Sequence, residues 1–128
     1  MKKMLFLLSL TTLLLANKIY IIADEEISVS KKELQHFFSA KSDYLNGKKY
    51  KRVSNKEALG SLAKLMFSIS KKKLSEKWIK QNFRKGIPFP LSIKNDTKTV
   101  EWIKNHPNTI GFITRPDESV HIIYTFSE

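Results

Sequence analysis

The sequence NHPNTIGFIT, residues 105–114, joins the end of a helix-like segment to a short apolar strand. Pro107 lacks a backbone N–H and cannot continue a helix, so the helix is predicted to stop there. The apolar residues that follow, with Gly111 among them, predict a buried strand over residues 109–114. Taken alone, this segment is explained by a generic helix-to-strand turn. Whether it marks a particular family depends on the sequence around it.

The sequence on both sides of this junction extends the pattern. Asp96 is a good N-cap for a helix whose Val100 and Ile103 share one face. Beyond the junction, residues 120–126 alternate between apolar and polar side chains and predict a last strand. The residues expected on one face of that strand are Val120, Ile122, Tyr124 and Phe126.

The first half of the chain predicts two strand-and-helix units. Residues 19–23 (IYIIA) and residues 50–53 predict short strands, and Asn46 with Gly47 predicts a turn between the units. Each strand is followed by the S-x-x-E spacing of a capping box, at residues 30–33 and 54–57. The apolar faces of the two helices are Leu34, Phe37 and Phe38, and then Leu59, Leu62, Ala63 and Met66.

Residues 70–83 predict a further amphipathic helix, which the sequence GIPFP at residues 86–90 interrupts. The apolar side is interpreted as Leu74, Trp78, Ile79 and Phe83. We expect Trp78 and Phe83 to pack beneath the interruption together with Ile110 and Phe112. The predicted order is β-α-β-α-α-α-β-β, which favours a layered α/β or α+β domain.

The first sixteen residues have the layout of a secretory signal peptide. Lys2 and Lys3 form a positive start, residues 4–15 are almost unbroken apolar sequence, and Ala16 ends the segment. The apolar stretch is short for a bilayer span, although an uncleaved anchor remains an alternative. We therefore expect residues 1–16 to be a signal peptide, residues 17–128 to be a single periplasmic domain, and no membrane span after cleavage.

The chain is strongly basic, with 23 Lys and Arg residues against 12 Asp and Glu residues and a formal charge of +11. Removal of Lys2 and Lys3 leaves 21 cationic and 12 acidic residues, a charge of +9 for residues 17–128. Such an excess favours anionic partners. Most of the lysines lie on predicted outer helix faces, where solubility is the plainer explanation, and no specific nucleic-acid partner is predicted.

Three blocks of the sequence resemble short periplasmic-binding-protein-like proteins related to the phosphate-binding component of phosphate ABC transporters. The blocks are residues 34–41 (LQHFFSAK), residues 78–90 (WIKQNFRKGIPFP) and residues 96–112, from Asp96 to the I-G-F sequence. Taken with their order and spacing, these blocks extend the resemblance over about residues 19–114, nearly all of the chain beyond residue 16. The resemblance implies a type II periplasmic-binding-protein-like α/β domain, with a small mixed sheet flanked by helices.

The resemblance also directs attention to the turn after the second strand. In phosphate-binding relatives an oxyanion is held by helix N-terminal amides and by Ser or Thr hydroxyls. Ser54, Asn55 and Lys56 occupy the corresponding strand-to-helix turn, without the Gly-Ser-Gly-Thr type loop of the family. Ser28 and Ser30 are similar candidates before the first helix. For Ser54 the alternative role is helix capping, and a similar structural role is the alternative for Ser28 and Ser30.

Other chemistries find little support in the sequence. His36, His106 and His121 are scattered and there is no Cys, so no metal site is expected. Neither a G-x-S-x-G motif nor a P-loop is present. We expect no enzyme activity and no cofactor.

Three functions therefore remain open. The first is an exported solute-binding-like protein for phosphate or another oxyanion, serving an ABC transporter. The second is a non-enzymatic interaction module of the cell envelope that kept the fold without the ligand. The third is a basic polyanion-binding protein that uses Arg52, Arg84 and Lys85 beside Phe83 and Trp78.

Overall fold

The computed structural model describes residues 17–128. The predicted signal peptide, residues 1–16, lies outside these residues. The strands are β1 (Lys18–Ala23), β2 (Tyr44–Leu45), β3 (Lys48–Lys49), β4 (Lys51–Asn55), β5 (Leu91–Ile93), β6 (Thr109–Ile113) and β7 (His121–Ser127), and the helices are α1 (Lys31–Phe38), α2 (Leu59–Phe67), α3 (Lys71–Lys85) and α4 (Asp96–Asn105).

The main sheet has five strands in the order β5-β4-β6-β1-β7. Strands β5, β4 and β6 pair in parallel, whereas β1 runs antiparallel to both of its neighbours, β6 and β7. The carboxyl ends of β4, β5 and β6 therefore lie at one edge of the sheet, the edge at which open α/β sheets bind ligands. The predicted mixed α/β architecture is confirmed. Strands β2 and β3 form a separate hairpin around the predicted turn at Asn46 and Gly47.

Helices cover both faces of the sheet. On one face, α1, α2 and α3 bury side chains such as Phe37, Leu62 and Trp78 against Ile21 and Phe112 of the sheet. On the other face, α4 packs its own apolar residues against Ile22, Val53 and Ile113. All five residues of β6 are buried, because this central strand has helices on both sides.

The hydrogen bonds at the ends of the helices show which of the predicted capping residues cap a helix in the structure. At α1, Ser30 Oγ accepts from the N–H of Glu33 at 3.1 Å, and Glu33 accepts from the N–H of Ser30 at 3.0 Å, so the predicted capping box is confirmed. The Trp78 indole N–H donates to the carbonyl of Phe38, the last residue of α1, at 2.7 Å. This bond ties α3 to the end of α1 and satisfies a carbonyl that the helix itself leaves unpaired.

Two of the predicted caps are wrong. Ser54 does not open a helix but lies inside β4, opposite Ser92 of β5, and is buried. Pairing with β5 lengthens the strand to Asn55, so α2 starts only at Leu59. At α4 the N-cap is Asn95, whose side chain accepts from the N–H of Lys98 at 2.9 Å. The neighbouring Asp96 is the first helical residue, and its carboxylate makes other contacts.

The predicted apolar side of α3 is only half correct. Leu74 and Trp78 are buried, and Trp78 shares a core cluster with Ile110 and Phe112 as expected. Ile79 and Phe83, however, are 55% and 90% exposed. They lie on a different side of the helix, because successive residues turn by about 100° and Ile79 directly follows Trp78.

The predicted alternation of the last strand also fails. Phe126 is buried on the face that carries the three helices, whereas Val120 is buried on the α4 face and Ile122 is exposed. The cause is a register shift in the pairing with β1, where Ile21 is opposite Tyr124 but Ile22 is opposite Ile122. One extra residue in a strand moves the later side chains to the opposite face.

Candidate functional site

The junction between β4 and α2 brings together free backbone donors at the carboxyl edge of the sheet. Strand β4 ends at Asn55, a turn closes with the N–H of Ala58 donating to the carbonyl of Asn55 at 3.0 Å, and α2 follows. The N-cap Ala58 provides no side-chain hydrogen bond. Among residues 17–128, no N-cap side chain accepts from the first-turn amides of α2, which lie at the positive end of the helix dipole.

Space is available beside these amides. A methyl group placed on Gly60, the second residue of α2, would meet no atom outside its own helix within 4 Å. Lys56, in the turn just before the helix, is exposed, and its N–H is fixed by donation to the carbonyl of Ile93 at 2.8 Å. An uncapped helix start with a neighbouring cationic side chain is an arrangement suited to an anion.

Asn55 holds this junction in place from inside the protein. Its side chain is fully buried, and its Nδ2 donates to Asp96 Oδ1 at 2.7 Å and to the carbonyl of Phe112 at 3.1 Å. Its Oδ1 accepts from the N–H of Glu57 at 3.1 Å. Because all three bonds are internal, Asn55 positions the turn and is not free to donate to a ligand.

A carboxylate of the protein itself occupies the neighbouring donors at the end of β6. The two oxygens of Asp96 accept from the N–H of Thr114 at 3.0 and 3.2 Å and from its hydroxyl at 2.7 Å, in addition to the bond from Asn55. The N–H of Asp96 in turn donates to Glu57 at 3.3 Å. Asp96 thus links β4, β6 and α4 at one point, and its negative charge opposes a second anion there.

The residues predicted from the sequence divide into two groups. Ser54, Asn55 and Lys56 do lie together at the β4–α2 junction, although Ser54 and Asn55 are buried. Ser28 and Ser30 follow β1, whose last residue, Ala23, pairs with Ile110 near the start of β6. They therefore lie beyond the opposite edge of the sheet from the β4–α2 junction. Both serines are exposed, and Ser30 is occupied in capping α1.

Sequence reasoning missed the importance of Gly60, Asp96 and Thr114 at this edge. Gly60 was the available signal, since no large or charged side chain stands there beside the first-turn amides. The hydrogen bonds between Asp96 and Thr114 form because α4 packs beside β6. No spacing pattern within a few residues of the sequence predicts that packing.

A concavity with a volume of about 310 Å³ lies at the other end of the parallel strands, where β4, β5 and β6 begin. Tyr50, Phe89 and Trp102 are among its lining residues, as is Arg52. The Arg52 guanidinium is buried, forms an ion pair with Asp43 and lies 4.7 Å from the centre of the Phe37 ring. Burial lowers the pKa of Arg52, and the charge of Asp43 opposes that shift.

This arrangement makes Arg52 an internal anchor rather than an anion receptor. Its positive charge is already neutralised by Asp43, so the concavity offers mainly apolar surface. Trp78 is buried as well. The expected surface grouping of Arg52 and Trp78 with Arg84, Lys85 and Phe83 is therefore wrong, and only the last three are exposed.

Residues 17–128 contain no group of three or more His, Asp or Glu side chains arranged to hold a metal ion. Within the same residues, no helix has the length and apolar character needed to cross a membrane.

No protein-family model matches the chain, and no curated protein matches it. Among solved structures, it is similar to an ABC-type phosphate transport receptor from Vibrio cholerae, with a TM-score of 0.53 and 14% sequence identity. The likeness covers 82% of this chain and 44% of the receptor chain, so the protein spans less than half of the receptor's length. At this identity the match shows the fold: the protein has a periplasmic-binding-protein-like α/β architecture.

Proposed function

We propose that the protein is an exported solute-binding-like protein that binds phosphate or another small oxyanion at the β4–α2 junction and serves an ABC transporter. The observation that carries the proposal is the uncapped start of α2, at the carboxyl edge of the parallel strands. The first-turn amides of α2 supply hydrogen-bond donors, and the side chain of Lys56 supplies positive charge. The space beside Gly60 is open to an anion. The fold shared with a phosphate transport receptor supports the same function.

Two substitutions at Gly60 test the site, because each replaces the same glycine and they differ only in the side chain that is added. Gly60→Ala adds a methyl group into open space and improves helix propensity, so it should raise the free energy of unfolding by about 0.5–1 kcal/mol. Gly60→Asp adds a carboxylate at the positive end of the helix, which favours folding but repels an anion.

Calorimetric titration of phosphate and sulfate should therefore give saturable binding to the wild type and to Gly60→Ala, and binding at least about tenfold weaker to Gly60→Asp. Lys56→Ala should weaken binding in the same direction, whereas Lys51→Ala, which removes an exposed lysine at the opposite end of β4, serves as a charge-matched control. Equal binding to the two Gly60 variants would place the anion elsewhere and refute the site.

Asp96 favours the second candidate function, an envelope interaction module without a ligand. Its carboxylate already uses the N–H and the hydroxyl of Thr114, the donors that an oxyanion would otherwise meet at the end of β6. The absence of heat on titration of the wild type with millimolar phosphate or sulfate would support this second function over the first.

A further inference from the structure

Helix α3 carries an unusual share of the positive charge of the protein. Its 15 residues include seven Lys or Arg side chains and one Glu, a net charge of +6. The two buried residues of the helix, Leu74 and Trp78, attach it to the core along one side. The cationic side chains are all exposed and surround the remaining sides.

Two large apolar side chains interrupt this basic surface. Ile79 is 55% exposed and Phe83 is 90% exposed, and they lie one turn apart on the side of α3 away from the core. Lys72 and Lys80 flank them, since residues three, four and seven apart share a helix side. Neither Phe83 nor Ile79 belongs to a core cluster of the described residues, so core packing does not explain why these positions are apolar.

We propose that the outward side of α3 docks on an anionic lipid bilayer, with Ile79 and Phe83 entering the boundary between headgroups and acyl chains. A polar helix with lysines and arginines around a small Phe and Ile patch is typical of helices that lie in a membrane interface. Charge complementarity selects an anionic over a neutral surface. A nucleic acid could use the charge and stack on Phe83, but it gives an aliphatic side chain such as Ile79 no comparable role.

The docking helix is already formed and held in place. Leu74 is fully buried, and Trp78 donates a hydrogen bond to Phe38, so α3 is anchored on its inner side before any bilayer is met. Binding therefore requires no folding of the helix, which spans about 22 Å at 1.5 Å per residue. The proposal concerns a surface contact and not a span.

The test is sedimentation of the full chain with vesicles of phosphatidylcholine alone or mixed with phosphatidylglycerol. We expect binding to the mixed vesicles that weakens as salt rises from about 0.05 M to about 0.5 M. Lys72→Gln, Lys80→Gln and Arg84→Gln together should weaken it about a hundredfold, since each cationic charge contributes about fivefold. Because every variant retains residues 1–16, the differences between variants report on α3.

An apolar variant separates insertion from general attraction to polyanions. Ile79→Ser with Phe83→Ser should weaken vesicle binding at least about tenfold and leave retention on heparin unchanged. The control is Lys94→Gln with Lys98→Gln, two exposed lysines near the start of α4, which should bind vesicles nearly as well as the wild type. Vesicle binding that survives the loss of Ile79 and Phe83, or that falls equally in the control, would overturn the proposal.

Discussion

Trp78→Ala offers the sharpest test of how α3 is attached to the protein. The side chain is only 6% exposed and lies in the core cluster that includes Phe38, Ile110 and Phe112. Truncation of a buried tryptophan costs about 3–5 kcal/mol through lost burial and the cavity that remains. The substitution also removes the indole donor to the Phe38 carbonyl, so we expect a loss near the upper end of that range.

Two companion substitutions separate the sources of this loss. Trp78→Phe retains an aromatic ring but not the donor and should cost about 1–2 kcal/mol. Phe83→Ala, five residues further along the same helix, removes a side chain that is 90% exposed and should change the free energy of unfolding by less than about 0.5 kcal/mol.

Urea denaturation followed by circular dichroism measures all three, since it does not depend on tryptophan fluorescence. A loss of several kcal/mol is a large share of the stability of a small domain. Equal costs for Trp78→Ala and Phe83→Ala would contradict the placement of α3 described above.

Two further predictions concern packing and pH. Gly111→Ala should destabilise the fold by about 1–3 kcal/mol in the same urea assay, because its methyl group would lie 3.2 Å from Thr99 Cγ2 in the contact between β6 and α4. A hydrogen bond and the charge of Lys48 lower the pKa of Glu25 from its ordinary 4.5, so this carboxylate contributes stability above that pH and loses it as pH falls through the lowered value. Glu25→Gln should therefore lower the melting temperature slightly at about pH 7, and its difference from the wild type should shrink as pH falls through the lowered pKa.

The two S-x-x-E sequences show how far local pattern determines local structure. The sequence at residues 30–33 forms its capping box, since it follows a loop that leaves the Ser30 backbone free. The same spacing at residues 54–57 forms none, because Ser54 is paired with Ser92, nearly forty residues later in the chain. Spacing within a few residues cannot anticipate a strand partner that is so distant.

The apolar residues of α3 give the complementary lesson. The prediction that Leu74 and Trp78 are buried is confirmed, whereas the prediction that Ile79 and Phe83 lie on the same side of the helix is wrong. At 100° per residue, Gln81 and Asn82 lie nearer than Phe83 to the side that carries Leu74 and Trp78. Both are in fact partly buried. The sequence thus contained the evidence for the true face, whereas the contacts of Asp96 with Asn55 and Thr114 depend on packing between elements.

The position of β1 has a consequence for the order in which the chain can fold. This strand comes first among the described residues, yet both of its partners come last, so that Tyr20 pairs with Ile113 and with Thr125. Contacts between residues more than 90 positions apart form slowly, because a long loop must close first. During synthesis from the N-terminus, the apolar sequence IYIIA at residues 19–23 stays without its strand partners until residues 110–127 have emerged. The sheet can therefore be completed only after β6 and β7 have been synthesised, and until then the unpaired apolar β1 is the segment most exposed to aggregation.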